Sequence, residues 1–361
     1  MSRKLKILMI GPKSVNPGGI TEFFNNLNQF NNEENFKLEY IGVCTSGNSS
    51  FIGKILELLV AILMFFLKII IFRPDIVHIN TSSNASFYRK YIFVVLAKIL
   101  RKRVVLHIHS GAFLTFYEET SLNVQKLIRH ALNISDMVLV LTDFWRAEFK
   151  KTIKFDTPIC ILSNFIDILK YRNNGEKYIK NQKRVLFLGK ISTKKGVYDI
   201  LESISSVSKK YPNIEFVFAG NGHPEEIKQF TNKIKHMGVS ENVNYLGWIN
   251  FNIKKKYLHE SDILVLPSYQ EAFGIVLIEA MAVGLPIIAS NIGGIPDVVK
   301  DRENALLIEP GDVSSLKESI LEIFDDDILS NKLKSNNLDK SKKYDVRKVI
   351  ADLSAYYNEV I

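Results

Sequence analysis

The chain has 361 residues, enough for two domains of ordinary size, and 47% of its residues are hydrophobic while 24% are charged. This composition argues against a disordered chain, and two cysteines, Cys44 and Cys160, are too few for a disulfide framework. A net charge of +9 favours contact with a phosphate-bearing substrate, an anionic membrane surface or nucleic acid, although charge spread along the chain also serves solubility alone.

The first predicted elements are a strand at 5–10, a loop that contains glycine, and a helix at 20–28. Gly18 and Gly19 stand directly before this helix, where a backbone can approach a phosphate, but a glycine-rich turn alone is weak support for such a site. The second strand, 37–43, carries no acid at its end. An NAD site needs an acid there to bind the ribose, so the sequence argues against a nicotinamide enzyme.

Two predicted helices are candidates for contact with a membrane. The helix at 55–72 has ten uncharged residues between Glu57 and Lys68, short of the roughly 20 that span a bilayer, so it is predicted to be buried or interfacial. The helix at 86–103 has six basic residues, four aromatic residues and no acid. That combination suits an anionic membrane surface or a lipid phosphate, and a solvated helix end with an apolar face on the sheet explains it equally well.

The next candidate is His109, which follows a predicted strand at 104–108. His107 lies inside the strand and is expected to be structural, whereas His109 leaves the carboxyl end, where open α/β sheets bind their ligands. Further on, the polar segment from Tyr171 to Gln182 contains Asn173-Asn174-Gly175 and is predicted to be an interdomain linker.

A second α/β unit begins with a strand at 184–188 and a loop from Gly189 to Gly196. Lys190 and Lys195 stand five residues apart in this loop, and two cations at a strand end can bind a diphosphate. Lys194, in the same loop, is expected to be an ordinary solvated surface lysine. Strands at 215–219 and 243–246 follow, and each ends in a short segment with glycine.

The segment 268–298 reads as loop, helix and strand, and contains two acids of interest. Its helix, 275–283, begins at Ile275, and the N–H groups near Phe273, Gly274 and Ile275 suit an anion such as a phosphate. Glu279 lies in that apolar helix, so we expect it to be buried and to need a cation, with Lys195 the natural partner, or a ligand's hydroxyl groups. Glu271 alone would be explained as an acid that caps the helix.

Together Glu271 and Glu279 form a Glu-x7-Glu pair around Phe273-Gly274, followed by Gly284-Leu285-Pro286 and Gly293-Gly294-Ile295-Pro296-Asp297. In this combination the chain resembles the retaining, nucleotide-sugar-dependent glycosyltransferases of family 4 type, also described as glycosyl transferases group 1. The resemblance covers nearly the whole chain. It implies an α/β fold of the GT-B class, with two Rossmann-like domains facing across a cleft and a C-terminal helix that crosses back to the first domain.

On this resemblance we expect residues 1–170 and the C-terminal helix 345–361 to form the acceptor-side domain, and residues 171–344 to bind the nucleotide sugar. The last helix has an apolar stripe of Val346, Val349, Ile350, Leu353, Tyr357 and Val360.

The resemblance also implies roles for individual residues. The diphosphate is expected to contact Gly18, Gly19, Lys190, Lys195 and the helix start at Phe273, Gly274 and Ile275. Lys190 stands where the family usually has Arg, so it keeps the charge without the bidentate geometry. Gly220 and Trp248 are expected near the nucleobase, Glu279 on the ribose, and Glu271 and His109 on the transferred sugar. Glu271, His109, Lys195 and Lys190 are the candidate catalytic residues.

The function implied is transfer of a hexosyl or N-acetylhexosaminyl group with retention, without a metal and without a cofactor other than a UDP- or GDP-linked donor. Family analogy suggests surface polysaccharide synthesis on a lipid-linked acceptor, by a cytoplasmic protein peripheral to the membrane's inner face. A sugar-nucleotide epimerase or phosphorylase and a non-catalytic assembly partner are the alternatives. Nucleic acid is not an expected partner, because the chain has no recognisable binding module.

Overall fold

The structure, a computed structural model, describes residues 4–13, 19–30, 36–43, 51–173, 175 and 182–361. The chain forms two compact units, one of Met1–Phe165 with Asp345–Ile361 and one of Ile166–Tyr344. The division thus falls before Ile166, whereas the sequence places it before Tyr171. Most of the expected linker, 174 and 176–181, lies outside the described residues.

The first unit alternates strands and helices. Its elements are β1 (Leu5–Pro12), α1 (Gly19–Phe30), β2 (Phe36–Val43), α2 (Phe51–Ile71), β3 (Ile76–Thr81), α3 (Ala85–Ile99), β4 (Arg103–Ile108), α4 (Phe113–Glu119), α5 (Leu122–Ile134), β5 (Met137–Val140), α6 (Asp143–Thr152) and β6 (Ile159–Ile161). The six strands form one parallel sheet in the order β2-β1-β3-β4-β5-β6.

The second unit repeats this plan. Its elements are α7 (Ile168–Tyr171), β7 (Arg184–Leu188), α8 (Val197–Lys210), β8 (Glu215–Ala219), α9 (Pro224–His236), β9 (Val243–Gly247), α10 (Phe251–Glu260), β10 (Ile263–Leu266), α11 (Ile275–Ala282), β11 (Ile287–Ser290), α12 (Ile295–Val298), β12 (Leu306–Ile308), α13 (Val313–Asp325) and α14 (Asp327–Ser341). Its six strands are also parallel, in the order β12-β11-β10-β7-β8-β9. The chain ends with α15 (Val346–Val360), which belongs to the first unit.

Parallel strands are covered on both faces, which explains why these strands read as short apolar runs rather than as alternating patterns. Every residue of β3, β5, β10 and β11 is buried. The sequence therefore locates eleven of the twelve described strands, whereas β12 and the helices α4, α5 and α10 are found only in the structure.

Helix α3 ends at Ile99, although the sequence predicts a helix to 103. Arg101 has a φ of 56°, which breaks the helix, and Arg103 already belongs to β4. The polar run at 331–343, for which the sequence predicts no helix, mostly forms α14. The Asp326 side chain accepts a hydrogen bond from the Leu329 N–H at the start of α14, and buried Asn337 donates to the Leu285 carbonyl.

The C-terminal helix α15 packs into the core of the first unit. All six residues of its predicted apolar stripe are buried there, so the stripe is confirmed. Tyr357 contacts the Phe36 ring edge to face, with the ring centroids 5.2 Å apart, and its hydroxyl lies 2.6 Å from Nδ1 of His78 on β3. Burial lowers the pKa of His78 to about 3, so the ring is neutral at pH 7.

We expect Tyr357→Phe to destabilise the first unit by about 1–3 kcal/mol, because it leaves Nδ1 of a fully buried histidine without its partner. Tyr356→Phe is the matched control. Its hydroxyl donates to the Ile161 carbonyl from a partly buried position, where water can replace it, so we expect a loss below about 1 kcal/mol. Urea unfolding of both variants measures the difference, and equal losses would contradict the role given to the Tyr357–His78 bond.

Candidate functional site

The second unit has a crevice defined by its strand order. The chain proceeds from β7 to β8 and β9 on one side, and β10 then returns to the other side of β7. Ligands of open α/β sheets bind at such a reversal, outside the carboxyl ends of the strands. The loops that follow β7 and β10 meet here, and they carry Lys195 and Glu271.

These two side chains form an ion pair. The Nζ atom of Lys195 lies 2.5 Å from Oε2 of Glu271, and Oε1 of Glu271 accepts a hydrogen bond from the Ala272 N–H at 3.1 Å. Their side chains are 26% and 15% exposed, so the pair is shielded but reachable from solvent. The structure therefore brings together a diphosphate-binding and a sugar-binding candidate, 76 residues apart in sequence.

Glu279 is buried, as expected, but Lys195 is not its partner. Its Oε1 accepts hydrogen bonds from the Lys254 ammonium, on α10, and from the Tyr171 hydroxyl at 2.7 Å, on α7. The expected Lys195–Glu279 pair is wrong because Glu279 stands inside α11, on the side that faces α7 and α10, whereas the Lys195 loop reaches the residues before α11. The ion pair satisfies the buried carboxylate, which would otherwise be strongly destabilising.

The start of α11 is held by its neighbours. Gly274 has a φ of 80°, and Ile275 is the first helical residue. Phe273 is buried, with its ring 5.6 Å from the Tyr344 ring in an edge-to-face contact. The Phe273 side chain is therefore part of the core, and only backbone groups at this helix start remain to bind an anion.

Two glycines allow the loops of this crevice to touch. Gly196 has a φ of 69°, and a Cβ at this position would lie 2.0 Å from the Pro267 carbonyl oxygen at the end of β10. Gly220 has a φ of 147°, and a Cβ there would lie 1.8 Å from the Gly189 carbonyl oxygen. Both contacts require glycine. The sequence analysis assigns Gly220 to the nucleobase region. The structure shows that close packing against Gly189 also requires a glycine at this position.

The remaining candidates of the second unit are exposed. Nζ of Lys190 lies 3.2 Å from Oε2 of Glu226, in the first turn of α9. Trp248 follows β9 and is 61% exposed. Within the described part of the chain, no three His, Cys, Asp or Glu side chains are grouped to hold a metal ion.

In the first unit, His109 follows β4 and is fixed by Asn80. The Asn80 amide Nδ2 donates to the Ile10 carbonyl at 3.3 Å, so its Oδ1 is the atom that faces His109 Nε2, at 2.8 Å. Nε2 must then carry the proton and donate, which leaves Nδ1 as an acceptor. Nδ1 is buried and has no hydrogen-bond partner among the described residues.

The His109 ring is kept neutral by its surroundings. Burial, with a smaller contribution from His78, lowers its pKa to about 3. The neighbouring His107 ring, 3.8 Å away between centroids, has its pKa lowered for the same main reason. His109 is thus suited to hydrogen bonding and not to holding a phosphate by charge. Gly18 lies outside the described residues, and Gly19 is the first residue of α1.

Sequence reasoning missed three residues that shape these sites, namely Asn80, Tyr171 and Lys254. Lys254 is the first of three consecutive lysines, and nothing in the sequence selects one of them. Asn80 does carry a signal, since it is a polar residue near the carboxyl end of a buried strand, beside the strand that precedes His109.

Comparison with known proteins assigns the family. A family model described as "Glycosyl transferases group 1" matches residues 171–340, and one described as "Glycosyltransferase Family 4" matches residues 34–169. The chain belongs to the family 4 type glycosyltransferases. Among related glycosyltransferases, the 2-deoxystreptamine N-acetyl-D-glucosaminyltransferase of Niallia circulans is 27% identical over 252 residues, 66% of this chain and 64% of that protein. The chain thus spans just under two thirds of that relative's length.

Alpha-D-kanosaminyltransferase of Streptomyces kanamyceticus is 23% identical over 300 residues, 78% of this chain and 76% of that protein. Solved glycosyltransferase-fold structures agree. Sucrose-phosphate synthase from Thermosynechococcus elongatus has a TM-score of 0.80 at 16% identity and covers 99% of both chains. Anabaena HepE in complex with UDP and glucose has a TM-score of 0.79 at 16% identity, over 98% of this chain and 100% of that chain. Two six-stranded parallel sheets with helices give this chain the α/β fold of the GT-B class.

The neutral histidines of the first unit predict that the stability of the protein falls as the pH falls. A histidine in the unfolded chain gains its proton below about pH 6.5, whereas His78 and His109 stay neutral in the fold down to about pH 3. Between these pH values the unfolded state binds more protons than the folded state. Each such histidine therefore lowers the free energy of unfolding by about 1.4 kcal/mol for every unit by which the pH falls.

Urea unfolding from about pH 7.5 to about pH 5 measures this slope. His107→Leu removes one buried, neutral ring and should flatten the slope, whereas His236→Gln, on the exposed surface of α9, should not. The same slope in His107→Leu as in the parent protein would show that His107 makes no such contribution.

Gly196→Ala tests the close contact between the loops that follow β7 and β10. Gly238→Ala is the control, because Gly238 has nearly the same backbone φ angle as Gly196. Gly238 has a φ of 68°, with no atom within 4 Å of the position that a Cβ would take, so alanine there should lose only about 1–2 kcal/mol of stability. Gly196→Ala adds the clash with Pro267 and should lose about 1–3 kcal/mol more. Chemical denaturation compares the two, and equal losses would mean that the Gly196 contact relaxes without strain.

Proposed function

We propose that this chain transfers a sugar from a nucleoside diphosphate sugar to an acceptor, with retention at the anomeric carbon and without a metal. The observation that carries the proposal is the Lys195–Glu271 pair at the reversal of strand order in the second unit. It joins a cation suited to a diphosphate and a carboxylate suited to a sugar hydroxyl, in a chain of a family named for glycosyl transfer.

The pair gives a simple binding sequence. A diphosphate oxygen competes with Glu271 for the Lys195 ammonium, and the released carboxylate accepts a hydrogen bond from a hydroxyl of the donor sugar. Lys190 leaves Glu226 in the same way, and the N–H groups at the start of α11 donate to the phosphate. Positive charge and N–H dipoles at this place stabilise the negative charge that develops on the leaving diphosphate, which accelerates the reaction.

The other candidates have supporting roles in this proposal. Glu279 accepts the ribose hydroxyls, with Lys254 and Tyr171 fixing its carboxylate. Gly220 and Trp248 contact the base. In the first unit, His109 is the candidate contact for a sugar hydroxyl. The donor is UDP- or GDP-linked, and the UDP complex of HepE favours a test of UDP first.

We further propose that the acceptor is a lipid-linked saccharide, used to build a surface polysaccharide by a protein peripheral to the cytoplasmic membrane. The net charge of +9 supports this, since such an acceptor carries phosphate in an anionic bilayer. In the described ranges, no helix combines the length and the apolar composition needed to cross a membrane.

A thermal-shift panel of UDP, GDP and ADP, then of the matching sugar nucleotides, tests the proposal. Lys195→Ala should weaken nucleoside diphosphate binding about tenfold or more, since a charged hydrogen bond contributes about 1.5–3 kcal/mol, and should leave nucleoside binding unchanged. Lys194→Ala, the exposed neighbour, is the control and should change neither. Glu271→Gln should keep diphosphate binding and lose most turnover.

Equal losses of nucleoside and diphosphate binding in Lys195→Ala would make that lysine structural. No stabilisation of the parent protein by any nucleoside diphosphate would favour a non-catalytic assembly partner. Product analysis with and without acceptor separates transfer from epimerisation, because an epimerase converts its sugar nucleotide without an acceptor.

A further inference from the structure

Helix α2 of the first unit has an outer face made only of large apolar side chains. These side chains are between 37% and 75% exposed, and we call them the α2 outer face: Ile52, Ile55, Leu56, Leu59, Val60, Leu63, Met64, Phe66, Leu67, Ile70 and Ile71. The residues run the whole length of a 21-residue helix, which is about 30 Å long.

Two of the three charged residues of α2, Glu57 and Lys68, lie away from this face and form ion pairs with the rest of the unit. Glu57 Oε1 lies 3.0 Å from the Lys13 ammonium, and Lys68 Nζ lies 2.8 Å from Oε2 of Glu39 on β2. Phe65, on the same inner side, is buried against Phe93 of α3, with their ring centroids 5.6 Å apart. A helix whose outer side faces water carries its polar residues there. In α2 this arrangement is reversed.

The size of the α2 outer face indicates that another surface covers it. Eleven half-exposed large side chains present roughly 1,000 Å² of apolar surface, whereas the largest apolar patch on a typical monomer is about 300–600 Å². Single exposed apolar residues need no explanation, but a continuous strip of this length does.

The composition of the strip favours lipid over a protein partner. It consists of Ile, Leu, Val, Met and Phe, and it has no Trp, Tyr or Arg, the residues that contribute most to protein interfaces. It is a single helix wide and convex, a shape that enters the boundary between lipid headgroups and acyl chains when the helix lies parallel to the membrane.

Cations border the strip at one end. In a parallel sheet every helix-to-strand connection lies at the amino edge, so Arg73 after α2 and Arg101 and Lys102 after α3 share that edge. The arginines are exposed, and Lys102 is partly so. Nearby acids are already bonded, since Asp75 accepts from the Lys6 N–H, and Asp136 from Lys98 and Arg103. This border is complementary to anionic headgroups.

At its other end the strip reaches the ligand-binding edge of the first sheet. Leu56, Val60 and Met64 line a cavity of about 310 Å³ together with Tyr40 of β2 and Lys13, which follows β1. Both strands end here, and the carboxyl edge of the sheet is where such folds bind substrates. An apolar strip that continues into this edge suits an acceptor presented from within a bilayer.

We propose that the α2 outer face binds an anionic lipid bilayer, with α2 parallel to the membrane plane and Arg73, Arg101 and Lys102 at the headgroups. The link to a lipid-linked acceptor rests on the proposed function, but binding of the bilayer itself does not. The helix stays attached to the sheet through Glu57, Lys68 and Phe65 while its outer side enters the lipid.

Flotation with vesicles of phosphatidylcholine, alone or mixed with phosphatidylglycerol, tests the proposal on the full chain. The parent protein should float with the mixed vesicles and bind the neutral ones more weakly, and salt should reduce that preference. Leu59→Gln with Leu63→Gln should lower the partition into vesicles by at least about tenfold, because two large apolar side chains no longer enter the lipid. Leu122→Gln with Ile328→Gln, also exposed but on other helices, is the control and should bind as the parent does.

Arg73→Gln with Arg101→Gln should remove most of the preference for anionic vesicles and keep binding to neutral ones. Absence of vesicle binding in the parent protein, or unchanged binding in the Leu59 and Leu63 variant, would overturn the proposal. A lipid-free dimer that the same variant dissociates would also overturn it, since the face would then bind a second copy. Thermal shift with nucleoside diphosphates, run without vesicles, reports separately on the proposed function and on folding of every variant.

Discussion

The candidate site of the second unit depends on the contact between the loops that follow β7 and β10. Adjacent parallel strands bring these loops to the same edge, and Gly196 lets one loop lie against the Pro267 carbonyl of the other. A hydrogen bond from the Tyr269 N–H to the Lys194 carbonyl, 2.9 Å long, fixes their register. Because the backbones are held, Lys195 and Glu271 meet without a long flexible segment on either side, which preorganises the site.

The two units differ in how they hold polar groups in place. In the second unit, charged pairs meet at the strand ends, and even the buried Glu279 keeps a lysine beside it. In the first unit, three histidines lie close together as neutral rings, since burial lowers the pKa of each. These histidines therefore provide buried hydrogen-bonding groups without net charge, whereas Lys195 and Glu271 of the second unit are charged and reachable from solvent.

Much of this organisation is predictable because it is local or periodic. Buried parallel strands give apolar runs, α15 gives a stripe at helical spacing, and the Glu-x7-Glu segment identifies the family. Contacts over long sequence distances are different. The choice of Lys254 for Glu279 depends on how α10 packs beside α11. The sequence points instead to Lys195, because that lysine is expected at the same diphosphate site. The helix α14 cannot be predicted from its polar sequence for a related reason. Its buried Asn337 is stabilised by partners 33 and 52 residues away along the chain.

The Lys195–Glu271 pair makes the site nearly electroneutral at its centre before a ligand binds, and this has a consequence for selectivity. An inorganic phosphate that takes the Lys195 ammonium leaves a half-buried carboxylate beside a new negative charge, and that arrangement is unfavourable. A ligand that supplies both an anion for the lysine and a hydroxyl donor for the carboxylate replaces both halves of the bond. In the proposed function, the ion pair therefore disfavours the small anions that are abundant in cells, and it favours molecules in which phosphate and sugar are joined.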